Sequence, residues 1–157
     1  MKGINISEQC HPLVPIFPTD ISGGRTGRIF SMENYAHASI IVAIGASSAA
    51  FTSITLKECT DNAGTGATAR AFTYYKQEGT VSGDVLSTKQ SATSSGITPT
   101  ATDGIFYVIE LDASELTDGS NWVQVVLTNG VNSVIASVVV LLSGSRFGGA
   151  ASPTVLS

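Results

Sequence analysis

Few side chains in this sequence could do chemistry. The histidines are His11 and His37, and the cysteines are Cys10 and Cys59. Four such ligands could in principle close a zinc site. Cys10 and His11 are adjacent, however, and no spacing among the four matches a zinc motif. Asp61-Asn62-Ala63-Gly64 begins like a calcium loop but lacks the alternating oxygens and the closing glutamate, so it reads as a turn. Gly64-Thr65-Gly66-Ala67-Thr68-Ala69 fits a relaxed glycine fingerprint. Phosphate binding there needs a strand before and a helix after, and the residues that follow read as strand. Glu110 and Asp112 share one face of an extended segment. Paired carboxylates can do acid–base work, but here they read as a solvated rim. A hydrolase needs a nucleophile, a base and a group to orient the base. His11 lies in a proline-rich segment, and His37 opens an apolar strand, where it suits structural hydrogen bonding. The expectation is a non-enzymatic protein with no catalytic residue, no metal site and no cofactor. Replacing His37 or Cys59 should affect stability at most, with Cys59 buried as a small hydrophobe.

Composition points the same way. The chain has 157 residues, enough for one domain with one core. Hydrophobic residues make up 43% and charged residues 13%, well below the usual quarter or so. Such a surface is either rich in Ser, Thr and Asn or covered by other subunits. The net charge of −4 argues against nucleic acid, which requires a basic face. Charge is also segregated: residues 29–145 carry four bases against ten acids, whereas residues 1–28 and 146–157 are each net +1. The first ten residues are polar, without the apolar core of a signal peptide. No apolar run reaches the roughly 18–20 residues of a membrane span. Synthesis in the cytosol with reduced thiols and no membrane partner is the expectation.

Three zones follow. Residues 1–28 place Pro12, Pro15 and Pro18 among Leu13, Val14, Ile16 and Phe17 and end near Gly23-Gly24. Proline removes backbone donors and disfavours helix and central strand. The segment therefore reads as an extended arm, lying either on its own domain or on a neighbour. Its apolar residues favour the neighbour, with Arg25 and Arg28 pairing to acidic groups there. Residues 29–145 read as about eight short strands: Arg28–Met32, His37–Gly45, Ala50–Cys59, Arg70–Lys76, Val85–Thr88, Ile105–Leu111, Asn121–Thr128 and Ser133–Leu142, with a helical corner at Ala113–Asp118. Gln90–Asp103 reads as a Ser/Thr-rich loop. This is an all-β, single-domain β-sandwich, jelly-roll-like, with a barrel as the competing architecture. Val125, Leu127, Ile135, Val138 and Val140 should be buried. Val134–Leu142 is apolar on both faces and should be central or lie against another subunit. Residues 146–157 form a Gly/Ala/Ser-rich tail with Arg146 and Phe147 near its start and an apolar tip at Val155-Leu156.

Three segments, taken in order, carry a resemblance. They are the proline arm running into Asp20-Ile21-Ser22-Gly23-Gly24 and Phe30-Ser31-Met32-Glu33-Asn34-Tyr35, then Ile54–Gly64, then Ile109–Leu116 followed by Ser143–Phe147 and Ser152–Ser157. Together they resemble the capsid cement, or decoration, proteins of tailed bacteriophages. The resemblance implies a jelly-roll-like domain on the outer surface of the phage head, part of the virion. It would bind the major capsid protein and neighbouring copies of itself and stabilise the capsid lattice. Leu13, Val14, Ile16, Phe17, Arg25, Arg28, Arg146 and Phe147 are the candidate contact residues. Other readings are a different virion component, such as a head fibre, tail or receptor-binding module, or a β-sandwich binding domain or enzyme outside viruses.

Overall fold

A computed structural model describes residues 3–47, 49, 51–78, 85–99, 104–146 and 156. The described chain opens with one helical turn, α1 (Ile6–Gln9). Eleven strands follow: β1 (Cys10–Asp20), β2 (Arg25–Thr26), β3 (Phe30–Ser31), β4 (Tyr35–Ser47), β5 (Ser53–Cys59), β6 (Thr68–Arg70), β7 (Phe72–Gln77), β8 (Gln90–Ala92), β9 (Ile105–Asp112), β10 (Trp122–Thr128) and β11 (Val134–Ser145). They make two antiparallel sheets. The larger runs β1-β11-β4-β9-β7-β8 and the smaller β2-β10-β5-β6, with β3 also on β10. The protein is an all-β, two-sheet sandwich. With six and five strands rather than the eight of a jelly roll, the topology carries only that coarser description.

Alternation builds the core. In β4, Ala38, Ile40, Val42 and Ile44 point inward, and in β11 so do Val134, Ala136, Val138, Val140 and Leu142, all at most 3% exposed. Ile109 and Leu111 of β9 join them, as do Val123, Val125 and Leu127 of β10. The long β11 lies between β1 and β4, so it is central as expected. Ile135 corrects the burial list: it is 43% exposed, because odd-numbered residues of β11 face outward. The expected strand Val85–Thr88 does not form; Ser87 N donates to Lys76 O at 2.9 Å and Ser87 Oγ accepts from Lys76 N at 3.1 Å, without a strand ladder. The edge strand is β8, inside the expected Ser/Thr-rich loop, where Ser91 pairs Thr73.

The proline segment is the main revision. Residues 10–20 are not an arm reaching elsewhere. They form the edge strand β1, with Leu13 opposite Val140 and Ile16 opposite Val138, and with register shifts on either side of Ile16. Prolines exclude a central strand but not an edge, which needs N–H donors on one side only. Burying Leu13 and Ile16 in the chain's own core is worth roughly 1.5–3 kcal/mol each. Composition alone could not show that a groove for them already exists at the open side of β11. At the end of β1 the Asp20 carboxylate accepts from Ser22 N (2.9 Å), Ser133 Oγ (2.7 Å) and Val134 N (3.2 Å). Gly23 and Gly24 then take φ of +79° and +84°, conformations open to glycine, and turn the chain into β2 of the opposite sheet. Residues 10–20 and 25–26 thus belong to the same two sheets as the body. In the tail, Leu156 packs partly buried against the same core. Phe147 lies outside the described residues.

The 3-10 turn at Ala113–Glu115 occupies the expected corner. The nearly buried Glu58 holds it: its carboxylate accepts from Arg70 Nη1 (2.9 Å) and from the backbone N (3.2 Å) and hydroxyl of Thr117. Arg70 Nη2 also donates to Glu115 O at 2.9 Å.

Candidate functional site

The densest group of titratable side chains sits where β4 and β9 pair. Register places His37 opposite Asp112 and Ser39 opposite Glu110, all on the outer face of the larger sheet. His37 Nδ1 lies 2.7 Å from Asp112 Oδ1, and Nε2 lies 2.7 Å from Glu110 Oε2. The Ser39 hydroxyl donates to the same Glu110 oxygen at 2.7 Å and stands 3.4 Å from His37 Nε2. Serine, imidazole and Asp112 thus approach the order of a hydrolytic triad, but Glu110 occupies the place that matters. A general base must take the serine proton at Nε2. Here Nε2 faces a carboxylate, so both ring nitrogens have acceptors and the pairing favours the protonated ring. Partial burial alone would lower the His37 pKa. The hydrogen bonds and charges of Asp112 and Glu110 outweigh it and hold the pKa above the ordinary histidine value. The two carboxylates lie on opposite sides of the ring and do not face a common point. Among the described residues, no group of three His, Cys, Asp or Glu side chains is arranged to hold a metal ion.

His11 stacks on Tyr35, with ring centroids 5.9 Å apart. Cys59 is fully buried, and that burial raises its thiol pKa, leaving it protonated and unreactive. Cys10 is half-buried.

The candidate contact residues divide sharply. Leu13 and Ile16 are buried in the core at 9% and 3% exposure, which removes them from any docking surface. Val14 is half-buried. Phe17 is 61% exposed, and Arg25 and Arg28 are exposed beside it. These last three come together at the seam where edge strand β1 of one sheet meets β2 of the other. Arg28 N donates to Pro15 O across it at 3.2 Å. The seam is a groove of about 450 Å³ lined by Pro15, Ile16, Phe17, Pro18, Arg25 and Arg28, among others. Among the described residues neither arginine side chain makes an ion pair or hydrogen bond. Arg146 is also exposed, but at the end of β11, with its backbone N on Asn34 O (3.0 Å).

The sequence did not single out the contrast between the two outer faces. On the smaller sheet the outward residues are polar: Gln124 beside Lys57, Thr128 beside Ser53, with Val126 beside Thr55. On the larger sheet, Val139, Ile41, Val108 and Tyr75 stand side by side across four strands. The apolar run Ile40–Ile44 within His37–Gly45 was the available signal, since a strand covered on both faces carries such a run. No described helix is long and apolar enough to cross a membrane. In comparisons with known proteins, no family model, no curated protein and no solved structure matches the chain.

Proposed function

We propose that this chain is a non-enzymatic structural protein of a tailed-phage virion, a decoration protein that binds the outer surface of the head and braces the major capsid protein lattice. The observation that carries this reading is the β1/β2 seam. An exposed Phe17 and two exposed guanidinium groups without described partners border one groove, on a protein whose remaining surface is acidic. Aromatic and arginine side chains are the residues most enriched at binding hot spots. Unpaired arginines suit carboxylates, which they grip in a forked, charge-assisted geometry. The seam therefore fits an acidic segment carrying an apolar side chain, supplied by the capsid subunits. Its mount is stiff, because the prolines of β1 and the hydrogen bonds of Asp20 hold the groove in shape before binding. The His37 group supports the non-catalytic reading, since carboxylates occupy both of its ring nitrogens. The resemblance to cement proteins supports the capsid as partner.

The test mixes purified protein with undecorated phage heads and follows co-sedimentation and the heat stability of the heads. The triple variant Phe17→Ala, Arg25→Glu, Arg28→Glu touches only exposed side chains and should melt like the wild type. The expected result is that wild type saturates the heads and protects them, and that the variant does neither. Equal binding by the variant, or no binding by the wild type, would overturn the proposal.

A further inference from the structure

We propose that the outer face of the six-stranded sheet pairs with the same face of a second copy, about a two-fold axis lying along the row Val139–Ile41–Val108–Tyr75. This rests on a different surface from the seam and does not depend on the capsid reading.

The register fixes what each row offers. On one side of the central row lie Leu141, Ser39, Glu110 and Thr73, then Ser143, His37 and Asp112. On the other lie Ser137, Ala43, Phe106 and Gln77, then Ile135 near Gly45. Among the described residues of these rows on β11, β4, β9 and β7 there is no lysine or arginine, and the acids are Glu110 and Asp112, both bound to His37. An occupant should therefore be apolar at its centre and should bring no further negative charge against Glu110 and Asp112. A second copy meets both conditions, but in one orientation only. Aligned sheet packing allows the two-fold axis to run along the strands or across them. Along the strands, the net-negative His37–Glu110–Asp112 groups would stack on each other. Across them, each row meets its mirror. Glu110 then faces Phe106, and His37 faces Gly45, which has no side chain. Each group lies about one and a half rows from the axis. With about 6.8 Å between rows, the two groups stand roughly 20 Å apart. That exceeds the Debye length of about 8 Å at physiological salt.

Shape agrees with charge. At the corner near Leu141 and Ser143, α1 and the residues before it rise over the face, with Ile4 81% and Ile6 47% exposed. At the mirror-related corner is a depression of about 310 Å³ lined by Pro18, Ala43, Gly45, Phe106 and Ile135, among others. The proposed axis sets the isoleucine rim of each copy toward the depression of the other. It thus covers Ile4, Ile6 and Ile135, three of the large apolar side chains the single chain leaves exposed. Four strands about 4.8 Å apart and nine residues long present roughly 500 Å² per copy before the rim is added. The pair buries about 1,000 Å², near the lower bound for a specific interface. Closed two-fold dimers are the commonest protein assemblies.

The test is sedimentation equilibrium of the full chain at roughly 50 µM, above the micromolar Kd that suits so small an interface. Wild type should sediment as a dimer. Ile41 lies on the axis and faces its own copy, so Ile41→Glu and Ile41→Lys should each sediment as monomers, and their mixture should re-form a dimer. Val126→Glu, on the outer face of the other sheet, should remain dimeric. Circular dichroism checks that each variant is folded, and the same pair of substitutions at Val139 replaces any that is not. A monomeric wild type, a dimeric Ile41→Glu, or a mixture of folded variants that stays monomeric would each overturn the proposal.

Discussion

Ile16 and Phe17 are adjacent in sequence, and the fold assigns them opposite duties. Ile16 is 3% exposed, lies opposite Val138 and approaches Gly27, where an added Cβ would come within 3.3 Å of its Cγ1. Phe17 is 61% exposed. Ile16→Ala removes three buried carbons, about 2.4 kcal/mol at about 0.8 each. A cavity adds to this, but the site borders the seam groove and can partly collapse, which keeps the total near 3 kcal/mol. For a chain of this length that lowers Tm by roughly 6–12 °C. Phe17→Ala should change stability by no more than about 0.5 kcal/mol. Urea unfolding of the two variants, read by tryptophan fluorescence and circular dichroism, measures both. If Ile16→Ala costs under about 1 kcal/mol, or Phe17→Ala costs as much as Ile16→Ala, then β1 is not docked as described and the seam has no rigid wall. The contrast also shows why removing residues 1–20 is a poor test of binding. It would strip an entire strand from the sheet together with the contact surface.

Three further outcomes are expected. Glu58→Ala leaves Arg70 and the Thr117 amide without their acceptor in a site 10–14% exposed, and chemical denaturation should show a loss of about 3–5 kcal/mol. Gly96→Ala should be among the most damaging single changes: φ there is +83° and a Cβ would fall 2.1 Å from Ile54 O, so soluble yield and Tm should both drop sharply. The pKa of His37 is raised in the folded state, so its bridge stabilises fully below the ordinary imidazole pKa of about 6.5 and fades as pH climbs through the raised value. The stability difference between wild type and His37→Gln should therefore be greatest below about pH 6.5 and shrink as the pH rises above it. A difference that stays flat would show that the imidazolium bridge is not formed.

Fold class was legible because β4, β9, β10 and β11 are long and β-branched, and β5 alternates cleanly. What the sequence leaves open is pairing. His37 lies 73 and 75 residues from Glu110 and Asp112, and nothing local ties a histidine to carboxylates that distant. Only the β4/β9 register does so. Ile135 was misplaced for a related reason: β11 is apolar on both faces, so alternation cannot say which face is inward. The proline segment was read correctly as extended but assigned the wrong contacts, since the side chains that would suit a partner subunit suit the chain's own edge equally well. β8 escaped notice because Gln90–Ala92 is held by backbone pairing to β7 rather than by apolar side chains. The candidate site was half legible. The sequence named Phe17, Arg25 and Arg28 as candidate contacts, and the fold leaves their side chains exposed, whereas the apolar row across the larger sheet emerges only when neighbours on four strands are placed side by side.

The three prolines of β1 have one more effect. A sheet ends safely only if its last strand cannot recruit another. β1 is the outermost strand of a highly apolar six-stranded sheet, the kind of border on which further chains can template. Pro12, Pro15 and Pro18 each delete an N–H from that border, and the register shifts around Ile16 bend it away from a straight ladder. Two or three consecutive backbone bonds cannot form there without meeting a missing donor. Growth into fibrils by strand addition is thereby hindered at this edge. Replacing the prolines would leave the fold intact and remove that protection.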